Sequence, residues 1–412
     1  MLTATSVVNE SVALLLSTIG RTAIVWLPVF LVHMAWKLWY YYKQAVYIRN
    51  TPWVILEIKM PREISKSPKA MEVVLGIFFQ TYQGNTITRF TQGLVPPWFS
   101  LELVSLGGKI HFYLRVPKFH KNLVESQIYS QYPGVEITEA EDYVTNVPVY
   151  GTSAASDWKI WGVEFKFDKE DAYPIKTYVD YGLAEDPKEE FKVDPMTPML
   201  EYLGAITPAE QVWIQILVTP TRKRFRKPGT WFKKQDWKDE ARAEVDKLMK
   251  REQFKAGPEG GIPFGALALS PGERTTVEAI ERSMDKIAFD CGFRGIYLTK
   301  KDQFKEANIV GLMSSIKQFN SANLNSFKPG IMTGVDEPWK DFRGIRVEKM
   351  KRKMFNAYIR RSYFYPPYVG KMMVMNTEEL ATIFHFPGQV AATPTLAKIE
   401  SKRGEPPVDL PL

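Results

Sequence analysis

Phe99–Pro117 reads FSLELVSLGGKIHFYLRVP, and it decides the fold. Phe99–Val104 and Lys109–Val116 are strand-like, and Gly107-Gly108 between them is a hairpin signal, because a tight two-residue turn needs residues that accept positive φ. Ile110, Phe112, Leu114 and Val116 share one face of the second strand. Upstream, Trp53–Met60 alternates. Val54, Leu56, Ile58 and Met60 face one way while Glu57 and Lys59 face the other, and Pro61 ends the run. A helix follows. Ser67 is placed to cap it and Pro68 suits its first position, with Met71, Val74, Leu75, Phe78 and Tyr82 as the apolar stripe. Gly84–Pro97 reads as a turn-rich loop. Downstream, Lys118–Tyr132 is a helix with Val124, Ile128 and Tyr132 in line, stopped by Pro133-Gly134, and Val135–Tyr143 is a strand. The order β-α-β-β-α-β over residues 52–147 predicts a ferredoxin-like, split-βαβ module.

Residues 157–327 repeat this pattern more loosely. Trp161–Phe167 and Val212–Val218 alternate as strands, with a helix near Pro195–Ile206 between them. Ser270 and Glu273 form a capping box for a helix over Glu273–Cys291, with Pro271 in its first turn, and Phe293–Thr299 is the next strand. The expected fold class is therefore α+β, with two tandem ferredoxin-like modules. The second is expanded by an insertion over 219–269. The repeat is visible in element order and not in residue identity. Residues 328–402 follow: Gly330–Phe342 reads as a loop, Lys349–Tyr363 as a basic helix, and Asn376–Phe384 as a short capped helix. Residues 403–412 are a proline-rich tail.

The N-terminal run Thr22–Tyr42, TAIVWLPVFLVHMAWKLWYYY, has no carboxylate and one late lysine. A bilayer core about 30 Å thick needs roughly 20 apolar residues of helix. Residues 22–42 are accordingly expected to be a transmembrane helix, with 1–21 a short extracytoplasmic segment. Its anchor residues are Trp26, Pro28, Trp36, Lys37, Trp39, Tyr40, Tyr41 and Tyr42. Pro28 is tolerable in such a helix, Lys37 can snorkel, and the Trp and Tyr cluster forms an interfacial belt. Lys37, Lys43, Arg49 and Lys59 flank its C-terminal side, against Arg21 on the other. The expectation is a single-pass protein of the cell membrane with its C-terminal body in the cytoplasm.

The formal charge of +8 favours acidic partners. The strongest charge feature is Thr221–Lys238, TRKRFRKPGTWFKKQDWK, in the insertion. Arg222, Lys223, Arg224, Arg226, Lys227, Trp231, Lys233 and Lys234 interleave cations with aromatics, which suits phosphates and stacked bases, an anionic membrane surface, or a protein face. Lys233–Phe254 is then an amphipathic helix with Trp237, Ala241, Val245 and Leu248 inward.

Catalytic signatures are absent from the sequence: it has no GxxxxGK[ST], no GxGxxG after a strand, no CxxC, HExxH or GxSxG. Cys291 is the only cysteine and cannot form an intramolecular disulfide. His111 and His120 lack partners at metal-ligand spacing. The expectation is a non-enzymatic chain without a cofactor.

Four phrases carry a resemblance: WVILEIKMPREISKSPKAME at 53–72, the hairpin and helix FSLELVSLGGKIHFYLRVP…VESQIYSQYPGVEI, KQFNSANLNSF at 317–327, and NTEELATIFHFPG…TPTLAKIESKRGEPPVDLP at the end. They are similar to the N-terminal, non-ATPase region of conjugation-type (type IV secretion) ATPases of candidate-phyla bacteria. The resemblance covers most of residues 50–412. It implies a membrane-anchored accessory scaffold, encoded alone or separated from its motor domain, that docks a translocation ATPase or its substrate. A nucleic acid is the alternative partner, and self-association into a homo-oligomer is a further one. The matched phrases contain no catalytic residues.

Overall fold

The computed structural model describes residues 2–61, 66–82, 84–147, 157–184, 193–223, 225–226, 234–249, 269–334, 341 and 343–387. In chain order, α1 (Leu2–Asn50) precedes β1 (Trp53–Lys59), α2 (Lys69–Gly76), α3 (Thr86–Gln92), β2 (Phe99–Leu106), β3 (Lys109–Pro117), α4 (Lys121–Gln131) and β4 (Glu136–Glu139). Then come β5 (Trp158–Phe167), α5 (Thr197–Gly204), β6 (Glu210–Pro220), β7 (Phe225–Arg226), β8 (Lys234–Gln235), α6 (Trp237–Leu248), α7 (Pro271–Met284) and β9 (Ala288–Lys300). The last are α8 (Glu306–Ser314), β10 (Phe327–Met332), α9 (Ile345–Ile359), β11 (Met373–Asn376) and α10 (Thr377–Ile383). Two compact units result, Met1–Thr51 with Tyr82–Val95, and Pro52–Thr81 with Pro96–Leu412.

The first unit consists of α1 and α3. Helix α1 starts at Leu2, well before the expected start at Thr22, and passes through Pro28 without a break. Its stretch Gly20–Asn50 is long and apolar enough to cross a membrane, and none of the apolar window is buried. Residues 84–97 are not simply a loop. Asn85 caps α3 by accepting the Thr88 N–H at 2.8 Å, and Gly93 ends it in the left-handed region at φ 72°. Phe90 of α3 packs on Trp36 at 4.9 Å and Tyr40 at 5.5 Å between ring centroids. Gly93 lies so close to the Lys43 backbone that a Cβ there would collide with it. Tyr82 is 80% exposed, so it does not extend the α2 stripe.

The second unit is built on one antiparallel sheet of nine strands, in the order β10-β5-β9-β6-β2-β3-β1-β4, with β11 also on β9. The expected hairpin is present, with Gly107 and Gly108 at φ 60° and 85°. The two segments read from the sequence do not form separate sheets. Strand β2 pairs with β6 from Phe99↔Val218 to Leu106↔Gln211, which makes the sheet continuous. Each segment keeps the same internal order: last, first, third, second strand, as β4-β1-β3-β2 and β10-β5-β9-β6.

The second segment corrects several expectations. The helix begun at Ser270 ends at Met284, not Cys291, and β9 starts at Ala288. The segment's last strand is β10, which pairs with β5 around a bulge at Pro329/Ile331 in a stretch expected to be partly loop. In the insertion, Asp236 and Asp239 form a capping box, and Trp237, Ala241 and Val245 of α6 bury against Val277 and Ile280 of α7. Helix α6 is thus shorter than the expected 233–254, and 250–268 fall outside the described residues, as does the 403–412 tail.

One face of the sheet carries the main core, where Leu56, Leu101, Ile214 and Phe293 pack with side chains from α2, α4, α5 and α10. Helix α10 is buried along its whole length. The other face presents Val104, Tyr113, Trp213, Ile160 and Ile296 to Met354, Phe355 and Tyr358 of α9. The C-terminal segment therefore covers the second face of the sheet.

Candidate anion-binding interface

Beneath α9, strand register aligns one polar residue from each of six strands into a row: Glu57, Tyr113, Glu102, Gln215, Arg294 and Glu164. Successive members pair across the ladder, and alternation turns them all to the α9 side. Burying such groups is costly unless they bond one another. Gln215 Nε2 donates to Glu102 Oε1 at 2.9 Å, and Arg294 Nε donates to Gln215 Oε1 at 2.8 Å. The chain beyond α9 supplies the counter-charge. Arg361, 1% exposed and at φ 49°, grips Glu102 at 2.9 and 3.1 Å and Asp142 at 2.6 and 2.9 Å. Tyr143 donates to Glu102 Oε2 at 2.7 Å and shares a 2.8 Å hydrogen bond with Tyr358.

The electrostatics follow from this packing. Burial alone would raise the Glu102 carboxyl, but the Arg361 charge and hydrogen bonds outweigh it and hold the group at about 2. Burial likewise acts to lower Arg361, and Glu102 outweighs it. Glu164 is raised, by burial first, with Arg294 opposing. At the centre of the row Glu102, Gln215 and Arg361 are taken up by one another, while Arg294 Nη1 and Glu164 Oε1 stand 3.8 Å apart without a hydrogen-bond partner among the described residues; this lock fixes the C-terminal end of α9 over the centre of the sheet.

The outer face of α9 is different. Arg343, Arg346, Lys349, Arg352, Lys353, Asn356 and Arg360 are exposed, while Met354, Phe355, Ala357 and Tyr358 are buried. The helix carries Glu348 as its acidic residue, and that is matched by Lys351 at 3.2 Å. Near the C-terminal end, Lys353, Asn356, Arg360, Ser362 and Tyr368 line a cavity of about 210 Å³. The Lys353 ammonium sits 5.2 Å from the Tyr368 ring centroid, which anchors the aromatic wall of this recess.

The residues expected in the insertion divide. Arg222 reaches the Tyr365 hydroxyl, with its guanidinium 5.7 Å from that ring, so the start of the insertion meets the segment that follows α9. Lys223 and Lys234 are exposed. Arg226 pairs with Lys234 across the β7–β8 ladder. Arg224, Lys227, Trp231 and Lys233 lie outside the described residues. The basic helix read over Lys349–Tyr363 is present in part, but Arg361 is buried and not a surface cation. Arg343 and Arg346 extend the cationic face beyond the expected start.

Among the anchor residues, Trp26, Trp36, Trp39, Tyr41 and Tyr42 are 45–61% exposed. Pro28 and Lys37 are also exposed, and Tyr40 is partly covered. Trp39 takes the Lys43 ammonium at 4.8 Å from its ring. His111 pairs with Glu57 at 2.7 Å, and His120 stands at the start of α4. Cys291 is buried. Among the described residues, no cluster of His, Cys, Asp and Glu could hold a metal ion.

A family model described as a domain of unknown function, DUF8128, matches residues 36–398. The chain belongs to the DUF8128 family. No curated protein matches it. The match begins at Trp36, the residue on which α3 packs. The DUF8128 region thus takes in the aromatic end of α1, the whole sheet, α9 and α10, while the apolar run before Trp36 precedes it.

Proposed function

We propose that this DUF8128 chain is a single-pass, membrane-anchored docking protein of the cell membrane that works by contact and not by catalysis, with its sheet domain on the cytoplasmic side. The observation that carries this reading is the Gly20–Asn50 stretch, whose apolar window is wholly unburied. Exposed Ile24, Val25, Val29 and Val32 have no reason to face water along a helix of this length. Sidedness follows from the cations at the C-terminal end of that stretch. Alkaline carbonate extraction tests the anchor. The full chain stays in the membrane pellet, and Val29→Asp with Val32→Asp releases it. A full chain that is extracted completely sinks the reading.

We infer further that the sheet domain consists of two fused ferredoxin-like modules. The matching strand orders support this, and so does the register. Leu56-Glu57-Ile58-Lys59-Met60 and Val163-Glu164-Phe165-Lys166-Phe167 occupy matching strands, and both glutamates stand in the polar row. The scaffold role in a secretion- or conjugation-like translocation machine, with a separate ATPase as partner, rests on the sequence resemblance. Cross-linking in native membranes tests it, and recovery without any translocation ATPase counts against it.

A further inference from the structure

We propose that the outer face of α9 binds the sugar–phosphate backbone of a nucleic acid, with the Lys353/Asn356/Arg360 recess seating one phosphate. This reading is independent of the membrane anchor. Arg346, Lys349, Arg352, Lys353 and Arg360 are exposed along α9 and its C-cap, with Arg343 just before its N-cap, and among the described residues none has a carboxylate within ion-pair distance. From Arg346 to the C-cap Arg360 the helix advances roughly 21 Å at about 1.5 Å per residue. That length spans about six phosphates of one duplex strand, spaced about 3.4 Å along the axis. The cavity of about 210 Å³ adds shape to charge. Two cations and an amide converge on a recess walled by Tyr368, a geometry suited to a phosphate oxygen cluster.

The Arg222–Tyr365 contact brings the start of the insertion, with the exposed Lys223, to the segment that follows α9. The Arg361 lock holds the platform rigid, so little ordering accompanies binding. An anionic bilayer fits less well. A helix that lies in a membrane interface turns its apolar face into the headgroups, whereas Met354, Phe355, Ala357 and Tyr358 of α9 are spent on the sheet. Apart from Ile345 at the first position of the helix, what remains exposed is charge and amide, which recognises backbone and does not read bases.

The test uses the full chain in nanodiscs of neutral phosphatidylcholine and a fluorescent DNA duplex of about 30 base pairs, followed by anisotropy over a salt series. Binding is expected to be independent of duplex sequence and to weaken linearly in log–log salt. Replacing Arg346, Lys349, Lys353 and Arg360 together by Gln should lower affinity at least about tenfold and flatten the salt slope by about three to four, since each neutralised phosphate contributes about 0.9. Circular dichroism should be unchanged, because all four side chains are exposed. No binding by the native chain at about 50 mM salt overturns the proposal, as does a quadruple variant that keeps both affinity and slope. Binding to phosphatidylserine vesicles that is lost in the variant, without DNA binding, overturns it in favour of lipid.

Discussion

Arg361 and Glu379 show how single buried charges set the stability of this molecule in opposite ways. Removing one partner of a buried, hydrogen-bonded ion pair leaves the other uncompensated, so Arg361→Ala should cost about 3–5 kcal/mol in urea unfolding. The pair of changes Arg361→Met with Glu102→Met should recover much of that loss, because the uncompensated charge is gone. Glu102 is depressed from 4.5 to about 2, so its contribution is complete above pH 4.5 and is lost as pH falls toward 2. Glu379 runs the other way. Burial lifts its carboxyl from 4.5 to about 8, and its contribution falls away as pH rises through that window. Its oxygens accept the Ile175 and Asn376 N–H groups at 2.9 Å each, which a glutamine oxygen can do in part. Glu379→Gln should therefore gain thermal stability relative to the native chain between pH 5 and 8, and the gap should level off above 8. A parallel pair of melting curves would refute the assignment. Arg361 was not legible in the sequence as a buried residue. It sits in a run of cations, and only the carboxylates brought to it from Glu102 and Asp142, far away in the chain, make it a core residue.

Elements with a clean period were readable, and those without one were not. Strands β1, β2, β3, β5 and β6 alternate, and α4, α6 and the start of α7 carry stripes or capping boxes, so their places follow from side-chain periodicity alone. Strand β10 contains Pro329 and Gly330 and has a half-exposed pattern, which reads as a loop until pairing with β5 fixes it. Strand β11 is four residues, buried throughout, with no alternation to show. Helix α3 has no apolar stripe of its own and depends on Phe90 finding Trp36 and Tyr40. That contact makes a prediction. Gly93→Ala forces a Cβ into the Lys43 backbone at a positive φ, so α3 should loosen from α1, and limited proteolysis over residues 82–95 should accelerate several-fold. A second close approach lies under the C-terminal segment, where the Tyr363 ring is wedged between Gly292 and Gly370. A Cβ on Gly292 would stand 2.5 Å from that ring, so Gly292→Ala should cost about 1–3 kcal/mol. The cationic face was half legible. Lys349 to Lys353 announce themselves as charge, but that they share the outer face of a helix whose inner face is clamped to a sheet depends on Tyr358 and Phe355 meeting Trp213.

At the scale of the whole molecule, the two segments could be counted in the sequence but their union could not. Main-chain pairing between β2 and β6 leaves no side-chain signature beyond two runs buried on both faces. The union has a protective effect. The outer edges of the sheet are β4, four residues long, and β10, interrupted by Pro329, both poor templates for adventitious pairing. The strands of eight and eleven residues that would invite such pairing are sealed against each other at the centre. That seal can be turned into a tool. A chain cut between residues 148 and 156 would yield two fragments, each baring the very edge the other completes. Expressed apart, each should aggregate. Expressed together, they should reassemble, with α9 and Arg361 of the second fragment latching onto Glu102 of the first. The DUF8128 sheet would then serve as a split reporter whose halves carry their own recognition code in hydrogen-bond register.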